Sequence, residues 1–346
     1  MMPPTLERNQ HAPSLRSAVL DVTDLTTSYA TKSGVVTPVR GVSLSVCEGG
    51  SLGIVGESGS GKSVLVRSIL GVHPARSSPT VTGSVRLNGR ETIGLDAKSR
   101  RALLGAQVSL IHQDPLMSLN PVVTIGEQVA EAVVNHSNRE SRSTLRSRVL
   151  ELLRSTGLRE PEQQYRKYPH ELSGGQRQRV GIAAAAITAP TLMIGDEPTT
   201  ALDVTVQKQV LDMLEDVRRQ QNSALVLITH DLGVAAERCD EIAVMYGGRI
   251  VEQGPSAQIV GDPRHPYTKA LLACGPRLDG PRPLRLPSIP GGAARPDRPN
   301  DTGCAFAERC SFARDSCSTT PQHLQFSGSS THRVACSVRT DAESAA

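Results

Sequence analysis

Residues 56–63 read G-x-x-x-x-G-K-S and constrain the fold more than any other part of the chain. An apolar run, residues 51–55, precedes them, and helix-compatible residues 64–70 follow. This order of strand, glycine-rich loop and helix is the context that a phosphate-binding loop requires. Glycines let the backbone curl until its N–H groups point at one anion, and the positive end of the following helix faces the same anion. The stretch therefore predicts a nucleotide site in an α/β fold.

Two side chains of this loop carry predicted chemistry. Lys62 can reach the β- and γ-phosphates of a nucleotide, and the Ser63 hydroxyl can bind Mg²⁺. The predicted nucleotide-binding residues of the loop are Gly56, Ser58, Gly59, Gly61, Lys62 and Ser63. A glycine-rich loop without a ligand is the alternative, but chance matches rarely have a strand before and a helix after.

The composition limits the remaining possibilities. The chain has 346 residues, enough for two or three domains, and aromatic residues make up only 2% of it. A net charge of +4 without a long Lys/Arg block gives no indication of a nucleic-acid partner. No apolar run approaches the roughly 18 residues of a membrane span, and residues 1–17 lack the apolar core of a signal peptide. We therefore expect a cytosolic chain whose membrane spans, if it needs any, belong to other subunits.

Strand and helix patterns alternate along most of the chain. Strands are predicted at 19–25, 42–46, 51–55, 82–88, 108–113, 191–197 and 224–229, with a hairpin at 241–252. Helices are predicted at 124–135, 143–156, 177–187 and 204–221, and a loop is predicted from Tyr29 to about Thr37. The alternation predicts a largely parallel sheet covered on both faces. A proline-rich stretch at 278–300 predicts a linker or an irregular wrap.

A pair of acids ends one of the apolar strands. Asp196 and Glu197 follow residues 191–195, where side chains emerge at the carboxyl edge of a parallel sheet. Asp196 suits the Mg²⁺ shell, and Glu197 is placed to polarise an attacking water. A solvated strand cap is the alternative, which the nearby phosphate loop makes less favourable.

A second helix start is rich in glycine. Residues 172–176 read LSGGQ, and Ser173 is the predicted N-cap of the following helix. A helix start of this kind is again an anion site. One chain therefore carries two phosphate-binding helix starts, although one nucleotide does not obviously need both from the same subunit.

The phosphate loop, Gln113, LSGGQ, the acid pair and His230, in this order, resemble the ATP-binding subunits of ABC transporters over residues 19–255. The resemblance implies a RecA-like P-loop core with an antiparallel β subdomain and an inserted helical subdomain at about 114–175. It also implies a head-to-tail dimer, in which ATP lies between the phosphate loop of one subunit and the LSGGQ of the other. Residues 1–18 would be a disordered segment and residues 256–346 a C-terminal extension.

The same resemblance assigns roles to individual residues. Tyr29 would stack on adenine, Gln113 would contact the γ-phosphate and Mg²⁺, and Asp203 would line the dimer seam. His230 would hold the γ-phosphate and position Glu197. The residues that would contact the ATP of the partner subunit are Ser173, Gly174, Gly175 and Gln176. Gly195 and His112 depart from the commoner Ala and aromatic residue of the family, but every catalytic position (Lys62, Gln113, Glu197 and His230) keeps its functional group.

Segments around these motifs resemble the oligopeptide/dipeptide importers in particular. They are residues 112–115, 118–121, 124–128, 167–171 and 265–268. The resemblance implies a bacterial subunit on the cytoplasmic face of the inner membrane that drives peptide import. Its partners would be a second ATPase subunit, most often a different chain, two membrane permeases and an external solute-binding protein. Nickel or glutathione import by the same subunit type is the closest alternative; a soluble ABC ATPase and an iron–sulfur regulatory protein are others.

Four of the seven cysteines lie near the C-terminus. Cys304, Cys310, Cys317 and Cys336 have a spacing that resembles the tail of these importer subunits, where four cysteines are associated with a [4Fe–4S] cluster. Four thiolates also suit tetrahedral Zn²⁺, and free or disulfide-bonded thiols are a further possibility. The sequence-based prediction is ATP, Mg²⁺ and a [4Fe–4S] cluster as cofactors, with zinc as the alternative.

Overall fold

The computed structural model describes residues 17–32, 34–74, 77–114, 118–136, 140–200, 202–275, 288–292, 302–326 and 331–338. Nearly all of the predicted N-terminal segment and most of the proline-rich stretch lie outside these residues. The helices are α1 Lys62–Leu70, α2 Ala97–Leu103, α3 Ile125–Val134, α4 Arg142–Ser155, α5 Pro161–Arg166, α6 Gly174–Ala186, α7 Val204–Gln221, α8 Leu232–Arg238, α9 Ser256–Gly261, α10 Pro266–Cys274 and α11 Asp315–Thr319. The strands are β1 Ala18–Thr31, β2 Gly34–Cys47, β3 Ser51–Val55, β4 Thr80–Leu87, β5 Arg90–Glu91, β6 Val108–Ile111, β7 Leu192–Asp196, β8 Ala224–Thr229, β9 Glu241–Tyr246, β10 Arg249–Pro255, β11 Gln325–Phe326 and β12 Arg333–Val334.

The larger sheet has eight strands in the order β11-β12-β10-β9-β3-β8-β7-β6. Strands β6, β7, β8, β3 and β9 run parallel, whereas β10, β12 and β11 continue the sheet with antiparallel pairing. Every residue of β3 and of β8 is buried, because helices and the second sheet cover these strands on both faces. The prediction of a largely parallel central sheet is confirmed.

The smaller sheet is antiparallel, with the order β2-β1-β4-β5. Val22 and Val85 of this sheet share one apolar cluster with Val66 and Ile69 of α1 and with Ile54 of β3. Helix α1 is thus packed between the two sheets, and this packing fixes the direction in which its N-terminus points.

Helices α3 to α6 have an apolar cluster of their own. Val129 of α3, Val149 and Leu153 of α4, and Val180 of α6 are all fully buried in it. These helices lie in the chain between β6 and β7, in the region where the sequence predicts a helical block.

Two parts of the secondary structure differ from the sequence-based prediction. Tyr29 does not begin a loop: β1 extends to Thr31 and pairs with β2 as far as Gly34, so this prediction was wrong. Helix α10 was not predicted, although His265 accepts a hydrogen bond from the N–H of Tyr267 and Pro266 occupies the first helical turn. Burial lowers the pKa of His265 to about 3, so its imidazole is neutral and free to accept that bond.

Candidate nucleotide site

The phosphate loop joins the end of β3 to the start of α1, as its sequence predicts. Gly61 has φ +106°, and a Cβ built there would lie 2.2 Å from the carbonyl oxygen of Pro38. A Cβ at Gly56 would lie 2.2 Å from the carbonyl oxygen of Met245. At both positions only glycine lets the loop pass so close to neighbouring backbone.

Lys62 is 5% exposed and lies under the loop. Its Nζ donates to the carbonyl oxygens of Gly56 at 2.6 Å and Glu57 at 3.0 Å. Burial lowers the pKa of Lys62, and the carboxylates of Glu197, Asp196 and Glu57 oppose that shift. The ammonium group thus lies where backbone carbonyls and carboxylates both stabilise its charge.

The hydroxyl of Ser63 donates to Oδ1 of Asp196 at 3.1 Å. This bond joins the first turn of α1 to the end of β7, so the structure brings two of the three predicted Mg²⁺ ligands together. Burial raises the pKa of Asp196, while the hydrogen bond from Ser63 opposes the rise. A hydroxyl and a carboxylate oxygen this close are the hard ligands that Mg²⁺ prefers, so the donor set fits that ion.

Glu197 follows directly in the left-handed region, with φ +49°. Its N–H donates to the carbonyl of Ile228, and its Oε2 accepts from the hydroxyl of Thr200 at 2.8 Å. Nδ1 of His230 lies 3.4 Å from the same oxygen. Positive φ is uncommon for a side-chain-bearing residue, and here it turns the carboxylate toward His230 at the neighbouring strand end.

The register of the parallel strands explains why these residues meet. Ile111 pairs with Gly195, Asp196 with Ile228, and Val55 with Thr229. The phosphate loop, Glu197, His230 and Gln113 each follow one of these strand ends, so all four reach one edge of the sheet. Gln113 itself is exposed there, two residues beyond the end of β6.

The LSGGQ segment starts α6. The side chain of Ser173 accepts from the N–H of Gln176 at 3.3 Å, and Oε1 of Gln176 accepts from the N–H of Ser173 at 2.9 Å. This reciprocal pair is a capping box, which confirms Ser173 as the N-cap. In the part of the chain that the structure describes, no hydrogen bond or ion pair joins LSGGQ to the phosphate loop.

Gly174 and Gly175 pack instead toward α7. A Cβ at Gly174 would lie 3.9 Å from Leu202, and one at Gly175 would lie 2.8 Å from Val206. Asp203 is exposed and caps α7 by accepting from the N–H of Val206 at 3.0 Å. LSGGQ and Asp203 therefore form one surface, separate from the phosphate loop of the same chain.

Comparison with known proteins places this arrangement in a family. Residues 39–200 match the family model described as ABC transporter, and residues 251–317 match the model described as oligopeptide/dipeptide transporter, C-terminal region. The chain is 46% identical over 86% of its length to a protein of Sinorhizobium fredii named "Probable peptide ABC transporter ATP-binding protein y4tR", of which it covers 89%. The chain belongs to the ABC transporter family.

Other relatives and solved structures agree with this assignment. The chain is 42% identical to the dipeptide transport ATP-binding protein DppD of Bacillus subtilis, over 84% of the chain and 86% of DppD. It is 44% identical over 94% of its length to the oligopeptide transport ATP-binding protein OppD of Mycobacterium tuberculosis, but it spans only 52% of that protein. The ATP-binding cassette MJ0796, solved as a dimer with ADP and Pi, superposes with a TM-score of 0.62 at 27% identity, over 68% of this chain and 98% of MJ0796.

The side chain of Tyr29 is hydrogen-bonded to His73 and not to a residue of the phosphate loop of this ABC cassette. Its hydroxyl forms a 3.1 Å hydrogen bond with Nδ1 of His73, and the two rings meet edge to face at 6.1 Å. His73 lies three residues beyond the C-terminal end of α1, whereas Lys62 begins that helix, which is about 13 Å long at 1.5 Å per residue. Contact between Tyr29 and adenine stays a prediction.

The predicted metal cluster of the C-terminal cysteines is wrong. Within the described ranges, which include all four cysteines, no group of three or more His, Cys, Asp or Glu side chains is arranged to hold a metal ion. All four are free thiols. This finding overturns the [4Fe–4S] assignment for Cys304, Cys310, Cys317 and Cys336, and it equally removes the zinc alternative.

Packing accounts for these thiols. Cys304, Cys317 and Cys336 contact Ala307 and Val338 in a small apolar cluster. Burial raises the pKa of Cys304 to about 11, so in the metal-free chain its thiol is protonated near neutral pH. The sulfur of Cys336 donates to the carbonyl of Val338 at 3.2 Å. Cys317 is buried and the other three cysteines are half-buried, so the four thiols pack as small apolar side chains.

The sequence-based prediction of the site missed two residues that contact the phosphate loop, Arg309 and Tyr267. Arg309 pairs with the carboxylate of Glu57, and the hydroxyl of Tyr267 accepts from the N–H of Glu57 at 2.8 Å. Tyr267 lies in the segment 265–268 that the resemblance to peptide importers had marked without a physical reason. These contacts join residues more than 200 positions apart, which no local pattern can predict.

Proposed function

We propose that this chain is the ATP-hydrolysing subunit of a peptide importer. One observation carries the hydrolytic assignment: Lys62, Ser63, Asp196, Glu197 and His230 converge at one edge of the sheet. The peptide assignment is supported by the match of residues 251–317 to the oligopeptide/dipeptide transporter C-terminal region and by the relatives named for peptide transport.

The phosphate loop binds the triphosphate of ATP. Its backbone N–H groups and the N-terminus of α1 face the phosphates, and the Nζ of Lys62 leaves the loop carbonyls for the β- and γ-phosphates. Ser63, Asp196 and Gln113 would hold Mg²⁺, which when bound neutralises charge on the phosphate oxygens. Ser58 and Gly59, both exposed at the loop tip, are within the same phosphate-binding segment.

Glu197 acts as the general base in hydrolysis. Its carboxylate accepts a proton from the attacking water, the oxygen of that water bonds to the γ-phosphorus, and the bond to the β–γ bridging oxygen breaks to give ADP and phosphate. Thr200 and His230 contact one carboxylate oxygen, Oε2, which fixes the direction of the base. His230, whose side chain is 56% exposed, would contact the γ-phosphate.

A second subunit completes each site. Because LSGGQ and Asp203 form a surface apart from the phosphate loop, they serve the nucleotide that is bound by the partner subunit. Ser173, Gly174, Gly175 and Gln176 would donate to that nucleotide. The partner is a second ATPase chain, so that a heterodimer binds two ATP molecules. Closure of this heterodimer drives transport.

The heterodimer acts on two membrane permeases, which receive peptides from an external solute-binding protein. Gln113 and the residues after it couple the site to a permease on the cytoplasmic face of the membrane. No helix in the described ranges is long and apolar enough to cross a bilayer. No observation favours nickel or glutathione as the solute, or a soluble ABC ATPase without permeases.

The test is a strain that lacks this gene, complemented with wild type, Glu197→Gln or the exposed control Glu237→Gln. We expect Glu197→Gln to bind ATP normally and to lose about 10²–10⁴-fold in turnover because the base is removed. Labelled di- and oligopeptide uptake should return with wild type and Glu237→Gln only. Hydrolysis at the wild-type rate by Glu197→Gln would refute the assigned base, and restored uptake of ⁶³Ni²⁺ without peptide uptake would refute the substrate.

A further inference from the structure

The C-terminal extension contacts the phosphate loop through an arginine. Nη1 of Arg309 donates to Oε2 of Glu57 at 2.7 Å, and Nη2 donates to Oε1 at 3.1 Å. The side chain of Arg309 is 7% exposed and that of Glu57 is 25% exposed. This two-point geometry in a nearly buried position is the stronger kind of ion pair.

Arg309 is itself held by several groups. Its Nε donates to the carbonyl of Pro290 at 2.7 Å, and Nη2 reaches the carbonyl of Ile289 at 3.3 Å. Nη1 is 3.3 Å from the hydroxyl of Tyr246, and the guanidinium lies 5.9 Å from the ring centre of Phe306. The guanidinium therefore has one orientation, and it presents that orientation to Glu57.

The backbone of Glu57 is fixed from the same side. Its N–H donates to the hydroxyl of Tyr267, a fully buried residue whose ring lies 4.6 Å from Tyr246 and 5.3 Å from Phe306. Its carbonyl accepts from Nζ of Lys62 at 3.0 Å. One residue of the loop thus connects Arg309 with the lysine that binds phosphate.

The pairing also affects the charge of the loop. Glu57 follows Gly56 directly, so its carboxylate lies beside the site of a nucleotide that carries several negative charges. Without Arg309, the carboxylate of Glu57 would repel the phosphates. It would also be free to move and to turn the loop N–H groups away from the phosphate that they bind together. Arg309 opposes both effects.

From these contacts we infer that Arg309 is a positioning residue for ATP binding, which acts through Glu57 to hold the phosphate loop in its anion-binding shape. The inference rests on the proposed ATPase function. It gives the C-terminal extension a direct part in the nucleotide site, because ATP affinity depends on a side chain more than 240 positions away from the loop.

The experiment is a double-mutant cycle in the full chain with Arg309→Met, Glu57→Gln and the double variant. The readouts are KM for ATP, kcat, and Kd for a fluorescent ATP analogue. We expect Arg309→Met to raise KM and Kd about tenfold with kcat within about threefold, because a charge-assisted bond is lost. In the Glu57→Gln background the same change should alter KM less than about twofold, since the partner is already gone.

Two further variants separate positioning from other causes. Arg309→Lys, which keeps the charge but not the two-point geometry, should recover part of the affinity, and Arg314→Met, an exposed arginine of the same extension, should match wild type. Circular dichroism checks that each variant folds. An equal rise in KM on both sides of the cycle, or a fall in kcat with KM unchanged, would overturn the role of Arg309. Failure of wild type to bind ATP would instead overturn the proposed function.

Discussion

Replacement of Glu252 by Ala should destabilise the protein more than any surface change. Glu252 is fully buried at the pairing of β10 with β12. Its Oε1 accepts from the N–H of Arg264 at 2.6 Å and lies 2.8 Å from Nε2 of His332, and its Oε2 accepts from the N–H of His265 at 3.0 Å. One side chain therefore joins β10 to two parts of the C-terminal extension, the start of α10 and the segment around His332.

The expected magnitude follows from the partners that Ala leaves behind. Two backbone N–H donors and a buried imidazole nitrogen lose their bond to Glu252, and loss of a buried hydrogen bond costs roughly 1–3 kcal/mol. Because neighbours relax and water enters, we expect a total of about 3–5 kcal/mol, the range for a broken buried pair. Glu252→Gln keeps the shape of the side chain, but its amide N–H group then faces a group that donated to the carboxylate. We therefore expect the free energy of unfolding to fall by about 2 kcal/mol.

Urea unfolding followed by circular dichroism measures this free energy. The control is Glu162→Ala on α5, whose 59% exposed side chain pairs with Arg154 at 3.2 Å and should cost less than about 1 kcal/mol. Limited proteolysis should cut Glu252→Ala first between 256 and 338, because that region loses its attachment. A loss below about 1 kcal/mol for Glu252→Ala, with an unchanged urea slope, would refute the reasoning.

Two further predictions concern the loop and the cysteines. Gly61→Ala should abolish measurable ATP binding, because Gly61 has φ +106° and the added Cβ would lie 2.2 Å from the carbonyl oxygen of Pro38. The control, Gly181→Ala on α6, has open space at its Cβ and should leave ATP binding intact. Nucleotide titration of the two variants measures the difference. Cys304, with a pKa of about 11, should react with iodoacetamide at pH 8 at less than about 1% of the rate of exposed Cys47, and its rate should rise as the pH approaches 11. Mass spectrometry of the modified peptides measures both rates. Equal rates at pH 8 would contradict the raised pKa.

The sequence predicted the site best where chemistry depends on local order. The loop at 56–63, the acids at the end of β7 and the N-cap Ser173 each have a pattern readable within a few residues. Helix α7 and strand β8 were predicted with their observed bounds, because a long amphipathic run and a short apolar run differ clearly in period. The parallel register then brings these strand ends together without further information.

The sequence failed where a residue depends on distant partners. Tyr29 was assigned to a loop, but pairing with β2 keeps it in a strand. The cysteine spacing suggested metal ligands, yet the thiols pack against Ala307 and Val338. No local pattern marks Arg309, since its partner Glu57 lies 252 positions earlier in the sequence. Tertiary contacts decide all three cases.

Two carboxylates of the cassette, the buried Glu252 and the half-buried Glu57, hold the C-terminal extension. His332 reaches Glu252 on β10, and Arg309 reaches Glu57 in the phosphate loop, so the extension is fixed to the cassette at two separate acids. Glu252 also fixes the start of α10, which carries Tyr267 to the N–H of Glu57. Arg309 and α10, two parts of the extension, thus converge on the same loop residue. By linkage, any interaction that keeps the extension docked favours the loop shape that binds ATP, and bound ATP stabilises the docked extension by the same free energy.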